Sequence, residues 1–350
     1  MHISSVGTAA PPHYYDQETL LNALKVEWAT QHHNPRRVEQ LHRAVQVGGR
    51  HLALPMEDYH TLDFGRANDT FIRVGTDIGG QAIARALVHA GLEATDIDAI
   101  FTTTVTGLAT PSLDARLVNR LGLRADIRRT PMFGLGCVAG AAGIARVADY
   151  LAGHPDHVAV LLSVELCSLT IQRQDLTIPN LIATGLFGDG AAAVVMTGAH
   201  RGAPAGMPRV VASRSRFYPD TERVMGWDIG NTGFKIVLSA GVPDMVSQHM
   251  ASDVDAFLAD QGLSRADISR WICHPGGPKV LRAFESSLGL SERDTALTWT
   301  SLREVGNLSS ASVLHVLRDT LEQQPARAGD HGLVLAMGPG FCAELVLLRW

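Results

Sequence analysis

Paired cysteine motifs are absent from this chain of 350 residues, although it contains four cysteines, Cys137, Cys167, Cys273 and Cys342. No C-x-x-C spacing occurs, which excludes a zinc knuckle and a thioredoxin-type redox motif. A disulfide framework is not expected in a cytosolic chain of this size. The four cysteines are therefore interpreted as single thiols.

Clusters of metal ligands are also missing, because the 15 histidines are scattered. His154 and His157 flank a proline in a predicted loop, and the neighbours His32 and His33 would point in different directions on a helix. The stretch GLFGDG precedes a strand instead of opening a helix, which is not the arrangement of a dinucleotide fingerprint. We therefore predict no metal and no nicotinamide or flavin cofactor.

Long apolar runs and blocks of like charge are absent too. The most apolar stretch, Val158 to Leu166, is far too short to span a bilayer. The N-terminal stretch MHISSVGTAAPPHYYD lacks the basic and apolar regions of a signal peptide. A net charge of -5 disfavours nonspecific nucleic-acid binding. With 46% hydrophobic and 19% charged residues, a globular cytoplasmic enzyme is expected.

What the chain does contain is an alternation of strand and helix patterns, which predicts an α/β fold with mostly parallel sheets. In the first part of the chain, we predict strands at 96–104, 157–166 and 190–197, and helices at 80–92, 112–121 and 137–151. In the second part, we predict strands at 267–274, 332–337 and 342–350, and helices at 244–262, 277–288 and 308–321.

The second part of the chain repeats the short glycine-leucine motifs of the first part in the same order. Gly91-Leu92 precedes the strand DIDAIFTTT as Gly262-Leu263 precedes DISRWICH, and one LGL tripeptide precedes Cys137 as another precedes Asn307. This echo predicts two similar halves, residues 1–205 and 206–350, that pack against each other. Two unrelated α/β runs are the alternative. Ligands bind at the carboxyl ends of strands in such sheets, close to Cys137, His274 and Asn307.

Cys137 lies in FGLGCVAGAAGIA, after two glycines and at the predicted start of a helix. The free N–H groups and the dipole of a helix N-terminus favour a thiolate, which is the nucleophilic form. A small buried cysteine explains the same pattern equally well.

His274 follows an apolar strand in WICHPGGP and could accept the thiol proton, but a packing histidine fits as well. Asn307, taken alone, is best interpreted as an N-cap.

Together these segments resemble a known family. FGLGCVAGAAG, LFGDGAAAVV, HPGGP, GNLSSASVL and a C-terminal GPG are similar, in family order, to the signature segments of type III polyketide synthases, the chalcone synthase family. The resemblance covers nearly the whole chain from about Thr102 onward. It implies a homodimer with a thiolase-like fold, in which two pseudo-duplicated α/β halves form a layered αβαβα core.

The resemblance implies that Cys137 takes the acyl group from CoA and pairs, as a thiolate, with His274. His274 and Asn307 would donate hydrogen bonds to the carbonyl of malonyl-CoA, whose oxygen becomes an enolate on decarboxylation. One lost donor in such a site typically costs about 2.7–4 kcal/mol. CoA thioesters are then substrates, and no further cofactor is implied.

The family pattern also assigns binding residues. Phe187 and Phe234 match two gatekeepers between a CoA tunnel and the cavity, with core packing as the alternative. Thr104, Cys167 and Ser309 match cavity-lining positions near the nucleophile, and Met225 falls where a smaller residue often lines the elongation cavity in plant members. Pro339 matches the loop of the cyclisation pocket, and Thr110 falls near the position that reaches into the partner subunit's cavity. Arg36, Arg37 and Arg43 lie where the family meets the CoA phosphates, although a solvated helix face fits them equally.

Segments such as SVELCSLT and MGWDIGNTGFKIVLS are more similar to bacterial members, above all to long-chain alkylpyrone and alkylresorcinol synthases. We therefore expect a fatty acyl starter, donated by CoA or an acyl-carrier protein, followed by decarboxylative condensation with malonyl-CoA and closure to an alkylpyrone or, less favoured, an alkylresorcinol.

Three other functions compete with this interpretation. A ketoacyl synthase III-type enzyme, which catalyses a single condensation, would share the Cys, His and Asn. The gatekeeper residues Phe187 and Phe234 and the motifs HPGGP and GNLSSASVL favour the iterative enzyme. A cysteine hydrolase has no matching framework. A silent binding subunit would be expected to have lost one of the three residues.

Overall fold

The computed structural model describes residues 1–28 and 34–350, so His32 and His33 lie outside the described residues. Strands in these ranges are β1 (His2–Ala9), β2 (His13–Asp16), β3 (Gly49–Leu52), β4 (Ala99–Thr104), β5 (Arg128–Phe133), β6 (Val158–Leu166), β7 (Asp189–Thr197), β8 (Arg209–Phe217), β9 (Met225–Gly230), β10 (Gly233–Leu238), β11 (Ile268–Cys273), β12 (His331–Gly338) and β13 (Cys342–Arg349). The α-helices are α1 (Gln17–Glu27), α2 (Pro35–Ala44), α3 (Phe64–Ala90), α4 (Leu113–Leu121), α5 (Ala139–Gly153), α6 (Ile178–Leu186), α7 (Val242–Ala259), α8 (Pro278–Leu288), α9 (Ala296–Val305) and α10 (Ser312–Gln323).

The Gly-Leu dipeptides of the sequence end helices in the same way in both halves. Gly91 adopts a φ of 66° after α3, and the N–H of Leu92 bonds to the carbonyl of Leu87 at 3.0 Å. After α7, Gly262 has a φ of 70°, and Leu263 bonds back to Leu258 at 2.9 Å. A left-handed glycine followed by this bond satisfies carbonyls at a helix end.

Helix α3 is longer than the predicted helix 80–92. It begins at Phe64, because the side chain of Asp63 accepts a hydrogen bond from the N–H of Arg66 at 2.8 Å and so caps the first turn. The small residues that follow in the sequence do not interrupt it, since Gly75 and Gly79 pack against Val164 of the sheet. The helix therefore spans the face of the first half of the sheet.

Nine strands form one large sheet in the order β11-β12-β13-β8-β1-β7-β6-β4-β5. The prediction of mostly parallel sheets is wrong, because only β4–β5, β4–β6 and β11–β12 are parallel among its pairs in the described residues. Strands β12 and β13 are joined by residues 339–341 alone, and so short a connection permits only antiparallel pairing. The two halves meet where His2 of β1 pairs with Arg209 of β8.

Alternate residues of each central strand enter different apolar layers. Ala159 and Leu161 of β6 and Val334 and Ala336 of β12 contact the central pair α5 and α10. The intervening residues of β6 pack under α3 and α4, and those of β12 pack under α7 and α8. The two halves of the one sheet thus enclose the central helices and are covered outside by further helices, which gives the five layers of the αβαβα prediction.

The strand order repeats between the halves, with β4, β6, β7 and β1 in one and β11, β12, β13 and β8 in the other. The predicted boundary between residues 205 and 206 falls between β7 and β8, and it stays a prediction. None of the helices in the described ranges is both long and apolar enough to cross a bilayer.

Candidate active site

Cys137 lies in a 3₁₀ turn, Gly136–Val138, two residues before α5 begins at Ala139. Gly136 has a φ of 57°, and a β-carbon there would lie 2.6 Å from the ring of Pro339. Only glycine therefore allows Pro339 to pack against the turn. The Cys137 side chain is 6% exposed, and its thiol donates to the hydroxyl oxygen of Ser309 at 3.7 Å.

Burial favours the neutral forms of both Cys137 and His274. It raises the pKa of the Cys137 thiol to about 12, and the nearby Glu165 adds to the rise. It lowers the pKa of His274 to about 3. In the described part of the chain neither ring nitrogen of His274 has a hydrogen-bond partner, and the expected ion pair between His274 and Cys137 stays a prediction. The imidazole is thus free to accept one proton and donate another.

Asn307 follows α9 and is held through its backbone. Its N–H donates to the carbonyl of Leu186 at 2.9 Å, and its carbonyl accepts from Gly188 at 3.0 Å, so it pairs across Phe187. Its side-chain oxygen accepts from the N–H of Ser309 at 2.8 Å. Helix α10 begins only at Ser312, so Asn307 does not cap it directly. The amide NH₂ of Asn307 remains as a donor.

The ends of two strands bring His274 towards the turn of Cys137. His274 follows β11, and its N–H donates to the carbonyl of Leu335 in β12 at 2.8 Å. Strand β12 ends at Gly338, whose β-carbon would meet the nitrogen of Val138 at 2.7 Å. Ser309 joins Cys137 to Asn307 from the other side. All three predicted catalytic residues thus lie at the edge where β11, β12 and the Cys137 turn meet.

The sequence interpretation missed Glu165, a fully buried carboxyl near the site. It accepts hydrogen bonds from the N–H of Val105 at 3.1 Å, from the hydroxyls of Thr106 at 2.8 Å and Thr104 at 3.3 Å, and from the hydroxyl of Ser310. Burial raises its pKa. The signal was available in VAVLLSVEL, where a single charge ends an apolar strand and therefore requires buried partners.

The other predicted binding residues lie in several places. Cys167 and Phe187 line a small cavity together with Trp227. The ring of Phe234 meets Phe64 edge-on at 5.8 Å and lines a larger cavity. Met225 begins β9 and is partly buried, whereas Thr110 is exposed in the loop between β4 and α4.

The three arginines predicted for CoA lie on α2. Arg36 and Arg37 are exposed, and Arg43 forms ion pairs with Glu39 at 2.9 Å and Glu18 at 3.5 Å. None of the three lines either cavity. Their role stays a prediction.

The larger cavity has a volume of about 690 Å³ and lies between α1, the start of α3 and the loop before Phe234. Its floor includes the buried residues Ser168 and Leu169, which follow Cys167, and its rim includes the exposed Val26. A cavity of this volume that is lined by both apolar and polar side chains is typical of a ligand pocket. No group of three or more potential ligands in the described part of the chain could hold a metal ion.

Comparisons with known proteins agree with this geometry. The model of the chalcone and stilbene synthase C-terminal domain matches residues 209–350, and that of FAE1/type III polyketide synthase-like proteins matches residues 73–211. The chain is 52% identical to a 1,3,6,8-tetrahydroxynaphthalene synthase of Streptomyces peucetius, over 99% of this chain and 93% of the relative. It is 33% identical to a 3,5-dihydroxyphenylacetyl-CoA synthase of Streptomyces toyocaensis, over 99% and 90%.

Among solved structures, 1,3,6,8-tetrahydroxynaphthalene synthase from Streptomyces coelicolor superposes with a TM-score of 0.94 at 32% identity, covering 100% of this chain and 99% of that one. The chain therefore belongs to the type III polyketide synthases, the chalcone synthase-like family, which are acyltransferases that catalyse Claisen condensation of CoA thioesters. The finer resemblance to long-chain alkylpyrone synthases is not supported, since these relatives are synthases of tetrahydroxynaphthalene and dihydroxyphenylacetyl-CoA.

Proposed function

We propose that this enzyme condenses malonyl-CoA with itself, iteratively, to a hydroxylated aromatic product of the tetrahydroxynaphthalene type. The observation that carries the proposal is the 52% identity, over 99% of the chain, to a synthase of that product. A naphthalene skeleton can be assembled from two-carbon malonyl-derived units without another starter. The preference for an alkylpyrone product is therefore replaced by an aromatic one.

The proposed chemistry starts from a neutral thiol and a neutral imidazole. His274 removes the proton of Cys137 as the sulfur attacks the thioester carbonyl, and CoA leaves as a thiol after it regains a proton. Next, malonyl-CoA loses CO₂, and its bonding electrons pass to the thioester oxygen as an enolate. His274 and the NH₂ of Asn307 donate to that oxygen. The enolate carbon then attacks the Cys137 thioester, which releases the thiolate.

This sequence balances without an oxidant or a reductant, so the proposal includes no cofactor besides the CoA substrates. An acyl-carrier protein remains an alternative donor of the starter. Cys167 and Phe187 line the small cavity and are proposed to contact the growing chain.

A second candidate keeps the predicted fatty acyl starter. The observation that favours it is the cavity of about 690 Å³, whose floor begins at Ser168, next to Cys167. Volumes of about 300–1,000 Å³ are typical of small-molecule pockets. Leu20, Leu24 and Leu62 line its walls, and such a surface suits an alkyl chain.

The homodimer is also part of the proposal. Strand β5 is the end of the large sheet, and most of its residues are exposed. Phe133 at its end is 49% exposed, and Leu108, close to Thr110 in sequence, is 42% exposed. An unprotected edge strand with apolar neighbours favours pairing with a second copy. Thr110 would then approach the partner subunit.

Purified enzyme incubated with labelled malonyl-CoA, alone and with acyl-CoA starters from acetyl to stearoyl, tests both candidates when the products are identified by mass. A multiply extended aromatic product from malonyl-CoA alone supports the first. Pyrones or resorcinols that carry the added acyl group support the second. A β-keto product of a single extension would contradict both and favour a ketoacyl synthase III-type enzyme.

A further inference from the structure

A short segment without helix or strand, residues 171–174, borders the larger cavity with all of its side chains. We call this segment the strap. It follows the turn that holds Cys167 and Ser168, so it connects the cavity floor to the rim. Its position is determined by side-chain contacts, because no regular backbone pairing holds it.

Arg173 of the strap joins three segments that are distant in sequence. Its guanidinium donates to the carboxylate of Glu27, at the end of α1, with one bond of 2.9 Å and a second shorter one. It also donates to the carbonyls of Tyr59, at 3.3 Å, and His60. The carbonyl of Arg173 in turn accepts from the indole of Trp28 at 2.8 Å. One side chain thus ties α1 and the 56–61 turn to the strap.

Gln172 reaches the opposite wall of the cavity. Its amide NH₂ donates to the carbonyls of Thr232 at 3.0 Å and Phe234 at 3.2 Å. The loop that carries Phe234 is therefore attached to the same four-residue segment as α1. Because Arg173 and Gln172 are adjacent, release of either contact frees one side of the strap.

The Arg173–Glu27 pair is the charged part of this arrangement. The two side chains are 34% and 17% exposed, and His60 donates to the other oxygen of Glu27 at 2.9 Å. Burial raises the pKa of Glu27, but the bonds from Arg173 and His60 outweigh that effect and lower it overall. The carboxylate is consequently charged at neutral pH, and charge-assisted bonds of this kind are stronger than neutral ones.

The residues that line the cavity range from exposed at its rim to buried at its floor. His60 and Gln174 are exposed at the rim, whereas Leu169 and Phe234 are buried at the floor. Ser168, Arg173 and Glu27 line the same cavity, so we expect an alkyl chain that entered beside Ser168 to reach the Arg173–Glu27 pair. The pair is not apolar, so a methyl end that reached it would desolvate charge at a cost.

We propose that the Arg173–Glu27 contact is a specificity-determining feature that limits the length of the acyl chain held in the larger cavity. This inference rests on the proposed function, in its fatty acyl form. Opening the contact lets the far end of a long chain pass between the strap and α1 into solvent. Short chains end before the contact and are not affected by it.

Two variants test the inference, Arg173→Ala and the milder Glu27→Gln. The matched control is Lys25→Ala, which removes the 2.8 Å ion pair of the same helix with Glu39 but does not line the cavity. Each is made in a Cys137→Ala background, so that acyl-CoA binds without turnover, and dissociation constants are measured for hexanoyl-CoA and stearoyl-CoA by calorimetry. Thermal unfolding verifies that each variant is folded.

We expect the preference for stearoyl-CoA over hexanoyl-CoA to rise about tenfold in both variants and to stay unchanged in the control, since one such contact is worth about 1.4 kcal/mol. An unchanged preference in folded Arg173→Ala and Glu27→Gln overturns the inference, as does an equal rise in Lys25→Ala or an absence of stearoyl-CoA binding in every protein. Binding is read separately from turnover, so a wild-type enzyme that binds but makes no polyketide would contradict only the proposed function.

Discussion

At the scale of single residues, burial is the main influence on the pKa values of Cys137 and His274. Cys137 and His274 are so deeply buried that the pKa of each is displaced towards the neutral form. In the proposed mechanism, proton transfer from sulfur to imidazole accompanies attack on the thioester. Because the thiolate is the reactive form of cysteine, a shift towards the thiol would also lower the reactivity of Cys137 before substrate arrives.

Asn307→Asp isolates the enolate-binding donor. The aspartate retains an oxygen for the N–H of Ser309, so the loop is preserved, but it loses the NH₂ and repels the enolate. We expect the rate of malonyl-CoA decarboxylation to fall by about 10²–10³-fold, while acyl transfer to Cys137 persists. Release of labelled CO₂ and the mass of the acyl-enzyme measure the two steps.

Cys137→Ala provides the complementary control for that experiment. It removes acyl transfer but leaves both donors to the enolate, so decarboxylation should continue. Equal decarboxylation by Asn307→Asp and the unchanged enzyme would remove Asn307 from the proposed mechanism.

At the scale of elements, the close contact of β1 with α3 depends on a glycine. A β-carbon at Gly7 would lie 2.3 Å from the carbonyl oxygen of Ala82 and 2.4 Å from the nitrogen of Ala86. Both atoms belong to the backbone of α3, which cannot rotate away as a side chain can. The short distance is what lets the helix cover the sheet.

Gly7→Ala should therefore destabilise the protein by about 1–3 kcal/mol, the usual range for overpacking. Gly153→Ala, near the end of α5, is the control, because no atom lies within 4 Å of its β-carbon position. The helix preference of alanine predicts a gain of up to about 1 kcal/mol there. Urea unfolding measures both, and equal stabilities would show that α3 can move aside.

At the scale of the whole molecule, the exposed edge strand β5 is the proposed contact of the homodimer. Phe133→Asp places a charge in the proposed dimer contact, so we expect a monomer at micromolar concentration and a loss of polyketide formation. Val88→Asp is the control, since Val88 is 77% exposed on α3, away from that edge. Light scattering measures the mass of each. A wild-type monomer would contradict the shared-cavity role of Thr110.

Much of the fold was predictable from the sequence. Strand periodicity, Gly-Leu helix ends and the repeated order of elements are encoded within a few neighbouring residues, so they predicted the central strands and two similar halves. The five layers were predicted only through the resemblance to the family. The sequence missed β1, β5 and β8, whose patterns are short or partly exposed. It also misjudged the strand directions, because pairing partners such as β1 and β7 are far apart along the chain.

The sequence by itself determined the family, and it predicted Cys137, His274 and Asn307 as the candidate catalytic residues at the ends of helices and strands. Sequence motifs and local turns are short-range properties, so they can be recognised without the tertiary structure. Only the tertiary structure decided the burial that shifts the pKa values of Cys137 and His274, the network around Glu165 and the contacts of the strap at the larger cavity. Each of these depends on desolvation or on contacts between segments brought together by folding, and no local pattern in the chain records them.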